Sequence, residues 1–365
     1  MKQIKVDEIK PGMVLAERII SPKGQILADV DTPITAQQLL HVYYYGIDKL
    51  WIQDKDEVLE KLDLDAPDEF IGETQSWRIS NSQEYKEFKK AYDNCAVKLE
   101  TLIENFMNRQ GSLNDDEILE DIRTVFERHA TGLGIMAMML NIQELDASTY
   151  EHMINVAIIC RVCGGWLGIK DEKELDVLTM CGLYHDIGKS LVPNAILTKP
   201  NRLTKEEFAR MAEHPLFGYH ILSDHDIDRR IKLAALQHHE RCDGSGYPYG
   251  LTKDFINKYS KIVAIVDVYD AMTADRCYRA GICPFEVIAQ FQREAKTKYD
   301  TETLMVFLSN IAESYISTGV LLSDNSRGVI KMIHRDALAS PLVLLDTGEF
   351  IDLRERNDIF IRACI

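Results

Sequence analysis

The hydrophobic positions of residues 82–108 follow the spacing of one long amphipathic helix. They recur at alternating steps of three and four residues, at Tyr85, Phe88, Tyr92, Cys95, Leu99, Leu102 and Phe106. Such spacing places them on one helix face, as in the seam of a coiled coil. The seam fits a homodimer formed through this helix, and it fits packing on the chain's own helices equally well. A second helix is predicted at about 114–128, where the first residues are acidic, as the helix dipole favours.

Hydrophobic positions between residues 134 and 318 are also spaced as in helices, with short loops between them. The segment shows no alternation of strands with helices and no glycine-rich phosphate loop, so neither a P-loop nor a Rossmann nucleotide site is supported. The fold class predicted for the chain is therefore mainly α, with a helical bundle domain at 134–320. An acidic linker and a helical spacer at 54–133 precede it.

Both ends of the chain have strand-like patterns. Residues 1–53 are predicted to be a small β-rich domain with short strands between turn signals, and with a helix from Thr35 to about Tyr45 that Gly46 ends. Residues 321–365 are predicted to be a β-rich extension. Its strand-like runs are 328–330, 342–345 and 359–361, with a turn at 347–348. The N-terminal domain is a candidate packing partner for these last strands.

The composition narrows the class of function. The formal net charge is −16, so a general surface for long nucleic acids is not expected. No apolar run is long enough to span a bilayer, and no apolar stretch follows the first residues as in a secretory signal, so we expect a cytoplasmic protein. Eight cysteines are scattered along the chain. The lone CxxC of Cys160 and Cys163 lies in apolar sequence with helical spacing, where buried core cysteines are expected rather than a zinc or redox site.

Five histidines and two aspartates are the main candidates for chemistry: His152, His185, Asp186, His214, His238, His239 and Asp267. Any one of these histidines alone would be an ordinary surface or core residue, but the adjacent His-Asp and His-His pairs are hard to explain by packing. Imidazole and carboxylate ligands together suit iron, manganese, zinc or nickel, and an aspartate can bridge two ions. Because the candidates are tens of residues apart, they must project inward from several helices of a bundle.

Further polar residues accompany these candidates. Lys189 follows His185 by four residues and would share its helix face if the helix continued. Residues 243–248 have the composition of a loop and come soon after the histidine pair. Asp267 and Asp270 lie in a mostly apolar stretch, where carboxylates are costly to bury without metal or hydrogen-bond partners.

Three separated runs now carry a resemblance: HDIGK at 185–189, HHERCDGSGYP at 238–248 and VDVYDAMTADRCYR at 266–279. In this order and spacing they resemble the HD-GYP family of bacterial signalling phosphodiesterases, over about residues 136–320. The resemblance implies an all-helical domain of the HD type that hydrolyses cyclic di-GMP to linear pGpG and often on to GMP. An alternative substrate within the family is 3′,3′-cyclic GMP-AMP.

The resemblance also assigns roles to residues. One ion would be held by His152, His185 and Asp267, the other by His214, His238 and His239, with Asp186 bridging them. Lys189 would face the scissile phosphate. Substrate binding would involve Lys189 and Asp270, with Arg276 and Arg279 on the phosphates, and the loop residues Gly246, Tyr247 and Pro248, a loop that is also linked to signalling protein partners. Two divalent ions are expected, iron or manganese first and nickel or zinc as alternatives, because Ser148 stands where three-metal relatives carry a glutamate.

The expected mechanism follows from the charge of a phosphodiester. Two divalent ions would lower the pKa of a bridging water, so that hydroxide is available near neutral pH, and would neutralise phosphate oxygens. Lys189 would add one positive charge, which makes Asp186 and Lys189 the predicted catalytic residues. Two other functions compete with this one: hydrolysis of another nucleotide, such as a mononucleotide, and non-catalytic binding of a cyclic dinucleotide or partner protein. Degenerate receptors of the family usually lack ligands, whereas every ligand position is filled here.

Overall fold

The computed structural model describes most of the chain after residue 81 and separate parts before it. The described residues are 2–6, 9, 13–20, 26–28, 30, 34, 42, 47, 49–52, 79, 81–107, 116–128, 131–142, 149–199, 201–274, 281–294, 297–356 and 358–365. The chain divides into two compact units, Met1–Gly72 and Glu73–Ile365. Of the acidic linker predicted at 54–80, residues 54–78 and 80 lie outside the described residues.

The first unit contains two antiparallel strand pairs. Strand β1 (Lys2–Lys5) pairs with β4 (Lys49–Ile52), and β2 (Ile19–Ile20) pairs with β3 (Ile26–Ala28). A small separate core, which includes Leu15, holds them together. Of the helix predicted at 35–45, only Val42 is described, and it is helical and buried.

The second unit is mainly α, as predicted. Its helices are α1 (Gln83–Met107), α2 (Asp116–Arg128), α3 (Gly132–Met139), α4 (Thr149–Trp166), α5 (Glu172–Tyr184), α6 (Asn194–Leu197), α7 (Lys205–Met211), α8 (His214–Ser223), α9 (Arg229–Gln237), α10 (Lys258–Thr273), α11 (Pro284–Glu294) and α12 (Thr301–Ser314). Short 3₁₀ helices lie at Ile187–Leu191 and Lys253–Phe255. Among the described residues, no helix combines the length and apolar character required to cross a membrane.

Helices α4 and α10 form the centre of the bundle. Both are buried over most of their surface, which explains why their sequences are apolar on nearly all sides. Helix α4 also packs closely on α5 at Gly182. A Cβ atom there would lie only 2.8 Å from the Cα atom of Ala157, so the contact requires a glycine. This close approach comes just before the His185-Asp186 pair and fixes its position relative to α4.

The seam of α1 is buried inside the chain. Phe88, Tyr92 and Leu99 are almost fully buried in the main core, and the hydroxyl of Tyr92 donates a hydrogen bond to Oδ1 of Asn155 on α4 at 2.7 Å. The structure therefore favours packing of the seam on the chain's own helices over its use in a homodimer.

The C-terminal residues form a five-stranded antiparallel sheet in the order β8-β7-β6-β5-β9. Its strands are β5 (Gly319–Leu322), β6 (Arg327–His334), β7 (Ala337–Leu345), β8 (Phe350–Asp352) and β9 (Ile361–Cys364). The turn predicted at 347–348 joins β7 to β8, with Gly348 at φ 88°. The sheet packs on α11 and α12 within the second unit. Its packing with the N-terminal domain stays a prediction.

Asp176→Ala is expected to destabilise the protein by about 3 kcal/mol, because it removes the more buried of the two carboxylates that pair with the buried Arg161, the other being Glu172. The carboxylate of Asp176 accepts hydrogen bonds from Arg161 at 2.8 Å and from Arg123, and the Arg161 side chain is only 4% exposed. Urea unfolding measures the loss. The control Asp93→Ala removes an exposed pair with Lys89 and should change stability by less than about 1 kcal/mol; equal losses in the two variants would contradict the argument.

Candidate metal centre

The predicted ligand positions come together from several helices. His152 lies in α4, Asp267 in α10 and His214 at the start of α8, while the His185-Asp186 and His238-His239 pairs directly follow α5 and α9. They form two groups in which the ligand atoms lie within 4.8 Å of one another: His152, His185 and Asp267 in one, and Asp186, His214, His238 and His239 in the other.

The carboxylate of Asp186 faces both groups. Its Oδ1 atom lies 3.3 Å from Nε2 of His214 and 3.6 Å from Nε2 of His238. Its Oδ2 atom lies 3.3 Å from Nε2 of His185 and 3.6 Å from Nε2 of His152. One side chain therefore presents a separate oxygen to each group, which is the geometry that a bridging ligand needs.

In four of these histidines, Nδ1 contacts a hydrogen-bond acceptor. The contacts to backbone carbonyls are Nδ1 of His185 to Gly182 at 2.7 Å, Nδ1 of His214 to Met211 at 2.7 Å and Nδ1 of His238 to Ala235 at 3.0 Å. In the fourth case Oδ2 of Asp270 lies 2.7 Å from Nδ1 of His152. Because a carbonyl can only accept, each such Nδ1 carries a proton, and the Nε2 atom is left to bind a metal.

The donor set fits divalent cations. Within the described residues, Nε2 of His185 and Oδ1 of Asp186 are buried without a hydrogen-bond partner. Nε2 of His214 and Nε2 of His238 lie 3.2 Å apart, with both rings already donating through Nδ1. Acceptors that face one another in a buried space are costly unless a cation lies between them.

Electrostatics support the same conclusion. Burial lowers the pKa of His238 to about 4 and holds the pKa of His239 well below its usual value. Although burial opposes it, the charge of Asp186 raises the pKa of His185 to about 10. Likewise, although burial acts against it, the positive charges of Lys189 and His185 hold the pKa of Asp186 well below its usual range. Without a bound metal ion, the group of His152, His185 and Asp267 therefore holds a proton. Metal binding is expected to release that proton.

Lys189 reaches the centre from a 3₁₀ helix. Helix α5 ends at Tyr184 and a 3₁₀ helix follows, so the condition for a shared α-helical face of His185 and Lys189 is not met. The tighter turn places Nζ of Lys189 in direct contact with Oδ2 of Asp186, three residues earlier. The side chain is 22% exposed, so it extends from the surface to the buried carboxylate.

Gly188 explains why a glycine follows the His185-Asp186 pair. A Cβ atom at this position would lie 2.0 Å from the carbonyl oxygen of His214 and 2.4 Å from the amide nitrogen of Gly218. The 3₁₀ helix therefore packs backbone to backbone on α8. This contact brings Asp186 next to His214.

Gly188→Ala is expected to destabilise the protein and to weaken metal binding at least about tenfold, because the methyl group must push His214 away from Asp186. Metal titration and thermal unfolding measure the two effects. Gly165→Ala is the matched control, since a Cβ there meets nothing within 4 Å on an exposed part of α4 and should stabilise the helix slightly. Unchanged metal affinity in Gly188→Ala would contradict the packing argument.

The loop that contains Gly246, Tyr247 and Pro248 borders the second group. The Tyr247 ring stacks on His239, with 4.7 Å between ring centroids, and Phe208 of α7 approaches Tyr247 edge-on at 6.0 Å. A Cβ at Gly246 would lie 2.4 Å from the amide nitrogen of Arg241, so the loop folds tightly back on the residues after the histidine pair.

Glu240 is a site residue that the sequence reasoning missed. It is almost fully buried, and its two carboxylate oxygens accept hydrogen bonds from the amides of Tyr249 at 2.8 Å and Leu251 at 2.9 Å. It therefore anchors the loop from the position next to His239. Its one sequence signal was a charged residue directly after a pair of candidate ligands.

Other predicted residues fall elsewhere. Asp270 is buried against His152 as described, so it supports a candidate ligand, and its role in substrate binding stays a prediction. Arg276, Arg279 and Ser148 lie outside the described residues. Cys160 and Cys163 are buried in the core on α4, as expected of packing residues.

Comparison with known proteins gives evidence that is independent of the geometry of the site. Residues 134–303 match the HD domain family. The chain is 31% identical to a cyclic di-GMP phosphodiesterase of Pseudomonas aeruginosa over 62% of this chain and 54% of that protein, so it spans about half the length of this relative. It is 27% identical to a cyclic di-GMP phosphodiesterase of Borreliella burgdorferi over 85% of this chain and 84% of that protein. A 3′3′-cGAMP-specific phosphodiesterase of Vibrio cholerae is 32% identical over 50% of this chain and 43% of its own length.

Proposed function

We propose that the protein is a metal-dependent phosphodiesterase of the HD-GYP type, and that the region matched by the HD domain family at residues 134–303 hydrolyses cyclic di-GMP. The observation that carries the proposal is the carboxylate of Asp186, which presents one oxygen to each of two groups of buried imidazoles. The expected product is linear pGpG, with GMP as a further product.

Two divalent ions are proposed to bind here. His152, His185 and Asp267 would hold one, His214, His238 and His239 the other, and Asp186 would contact both. Iron and manganese are the expected ions, with nickel and zinc as alternatives, since imidazole and carboxylate donors suit all four. When bound, such a pair lowers the pKa of water and neutralises charge on a phosphodiester.

The chain's own residues orient the ligands and the substrate. The Nδ1 contacts prevent the histidine rings from turning, so the Nε2 atoms stay directed at the proposed metal positions. Lys189 would move from Asp186 to a non-bridging phosphate oxygen and stabilise the charge that develops there. Arg276 and Arg279 are proposed to hold the phosphates of the substrate, and Tyr247 and the half-exposed Phe208 would offer it aromatic surfaces beside the centre.

The alternative substrate that we propose is 3′,3′-cyclic GMP-AMP. The similar protein of Vibrio cholerae is named as specific for 3′3′-cGAMP, and guanine and adenine differ in only a few hydrogen-bonding groups. A non-catalytic receptor is the remaining alternative. All seven candidate ligand positions are filled in the described residues, and all but the half-buried His239 are buried, which argues against it.

The proposed partners and location follow from this function. The cytoplasm is the proposed site of action. A signalling protein is the proposed partner of the loop at 246–248, because Tyr249 beside it is 62% exposed. A homodimer would need a surface other than the buried seam of α1.

Anaerobic purification with metal analysis tests the proposal, followed by a chromatographic time course with cyclic di-GMP, 3′,3′-cyclic GMP-AMP and a mononucleotide in parallel. The expected result is about two metal ions per chain and cleavage of a cyclic dinucleotide but not of the mononucleotide. The faster substrate identifies the messenger. Full metal sites without cleavage of any substrate would overturn the enzyme proposal in favour of a receptor.

A further inference from the structure

The C-terminal sheet has apolar side chains on both of its faces. In β7 the run LVLL at 342–345 is continuously apolar. An antiparallel strand with one face in water normally alternates apolar and polar residues, whereas a continuous apolar run is typical of a strand that is covered on both sides. One face of this sheet packs on α11 and α12. The sequence of β7 indicates that the other face is covered as well.

Two buried residues define the face that packs on the helices. Val343 of β7 lies opposite Ile330 of β6, and both are fully buried members of the main core. Because successive residues of a strand point to opposite faces, Leu342 and Leu344 point away from this core. The face that carries Leu344 is called the outer face of the sheet from here on.

The strand register arranges apolar side chains of the outer face in rows. Leu344 lies opposite Val329 of β6 and Phe350 of β8, and residues opposite one another share a face. In the next row, Leu342 lies opposite Met332 of β6. Phe350 is 63% exposed and Met332 is 45% exposed, while the other three are half-buried. These five described residues form a contiguous apolar patch that does not pack on the main core.

The size of the patch suits an interface. Leu321 of β5 extends it, because this half-buried residue lies opposite Arg327 on the same face of β6 as Val329. Four strands about 4.8 Å apart and three rows about 7 Å apart give a flat area of roughly 400 Å². This is about half of the ~800 Å² that each partner contributes to a stable interface, and a polar rim normally supplies the rest. Exposed apolar patches of this size are often functional.

Charges at two opposite corners of the outer face favour a second copy of this chain as its occupant. The backbone carbonyl of Arg327 on β6 accepts a hydrogen bond from the amide of Asp346 on β7, and Asp352 of β8 lies opposite Leu342. On β7, Leu344 is midway between these two positions. A two-fold axis through Leu344 would therefore place Arg327 of each copy near Asp352 of the other, so both corners would be matched.

We propose that the protein forms a two-fold symmetric homodimer through the outer face, with the Leu344 side chains of the two copies in contact at the axis. The apolar rows of one copy would cover those of the other. Asp352 also accepts a hydrogen bond from Arg354 of its own chain at 2.7 Å, so in the dimer it would lie between two guanidinium groups. The dimer does not depend on the proposed phosphodiesterase activity, and it leaves the seam of α1 buried within each chain.

Sedimentation equilibrium of the full chain tests the proposal. We expect a concentration-dependent dimer, and Phe350→Asp should raise its dissociation constant at least about tenfold, because the interface would desolvate a carboxylate. Phe255→Asp is the matched control: Phe255 is 72% exposed and lies outside the C-terminal sheet, so the dimer should persist. Circular dichroism checks that both variants fold.

Cross-linking provides a second measurement that does not require a charged substitution. Leu344→Cys places one thiol of each copy at the proposed axis, and mild oxidation should join the two introduced cysteines, as peptide mass spectrometry can show. Val97→Cys on the exposed side of α1 is the control and should give no such link. A chain that stays monomeric, a dimer that Phe350→Asp leaves intact, or the absence of the cross-link would each overturn the proposal.

Discussion

Asp186→Ala is expected to abolish metal binding and turnover together. The substitution removes the two oxygens that face the two groups of imidazoles, and it leaves those imidazoles in a buried space without their shared anion. Loss of the shared ligand should lower turnover by at least about a thousandfold. This loss is larger than the roughly 10- to 100-fold expected when only a hydrogen-bond partner of a metal ligand is removed. Metal analysis of the purified variant and the cyclic di-GMP time course measure both losses.

Asp224→Ala is the matched control for this experiment. Asp224 is an exposed aspartate at the end of α8, so its removal should leave metal content and rate unchanged. Circular dichroism of both variants checks that the helices persist. An Asp186→Ala protein with its full metal content and normal activity would refute the assignment of Asp186 as the shared ligand.

Lys189→Ala is expected to keep the metals and to lose about a hundredfold to a thousandfold in kcat. Lys189 contacts Asp186 with a positive charge, and that charge competes with a cation for the same oxygen. Its removal should therefore not weaken metal binding. The rate should fall because the ammonium group is proposed to stabilise charge on the phosphate in the transition state.

The readout for Lys189→Ala separates catalysis from metal binding. Metal content and kcat are measured on the same preparation, and Lys189→Arg tests whether charge alone is sufficient. Lys199→Ala removes a lysine that pairs with Glu207 and should leave kcat unchanged. An unchanged kcat in Lys189→Ala would remove this residue from the mechanism.

The sequence predicted the helical nature of the domain, and it also singled out the candidate ligands, for different reasons. Helical periodicity is a local property, so the apolar spacing in α1 and the all-round apolar character of α4 and α10 could be recognised directly. The ligand candidates stood out because paired histidines and aspartates are rare in apolar sequence. The partner of the α1 seam was beyond such reasoning, because a coiled-coil face looks the same whether it meets a second chain or α4.

The tertiary structure alone decided how the side chains of the centre are oriented. Asp270 is 118 residues from His152 in the sequence, yet it holds that ring, and no local pattern links the two. The 3₁₀ turn that directs Lys189 onto Asp186 depends on the contact of Gly188 with α8, and the anchoring of the loop by Glu240 depends on backbone amides at 249 and 251. Sequence thus determined which residue types are available and which elements carry them. Packing between distant helices decided which nitrogen or oxygen each residue presents, because orientation is fixed by neighbours that the chain meets only after folding.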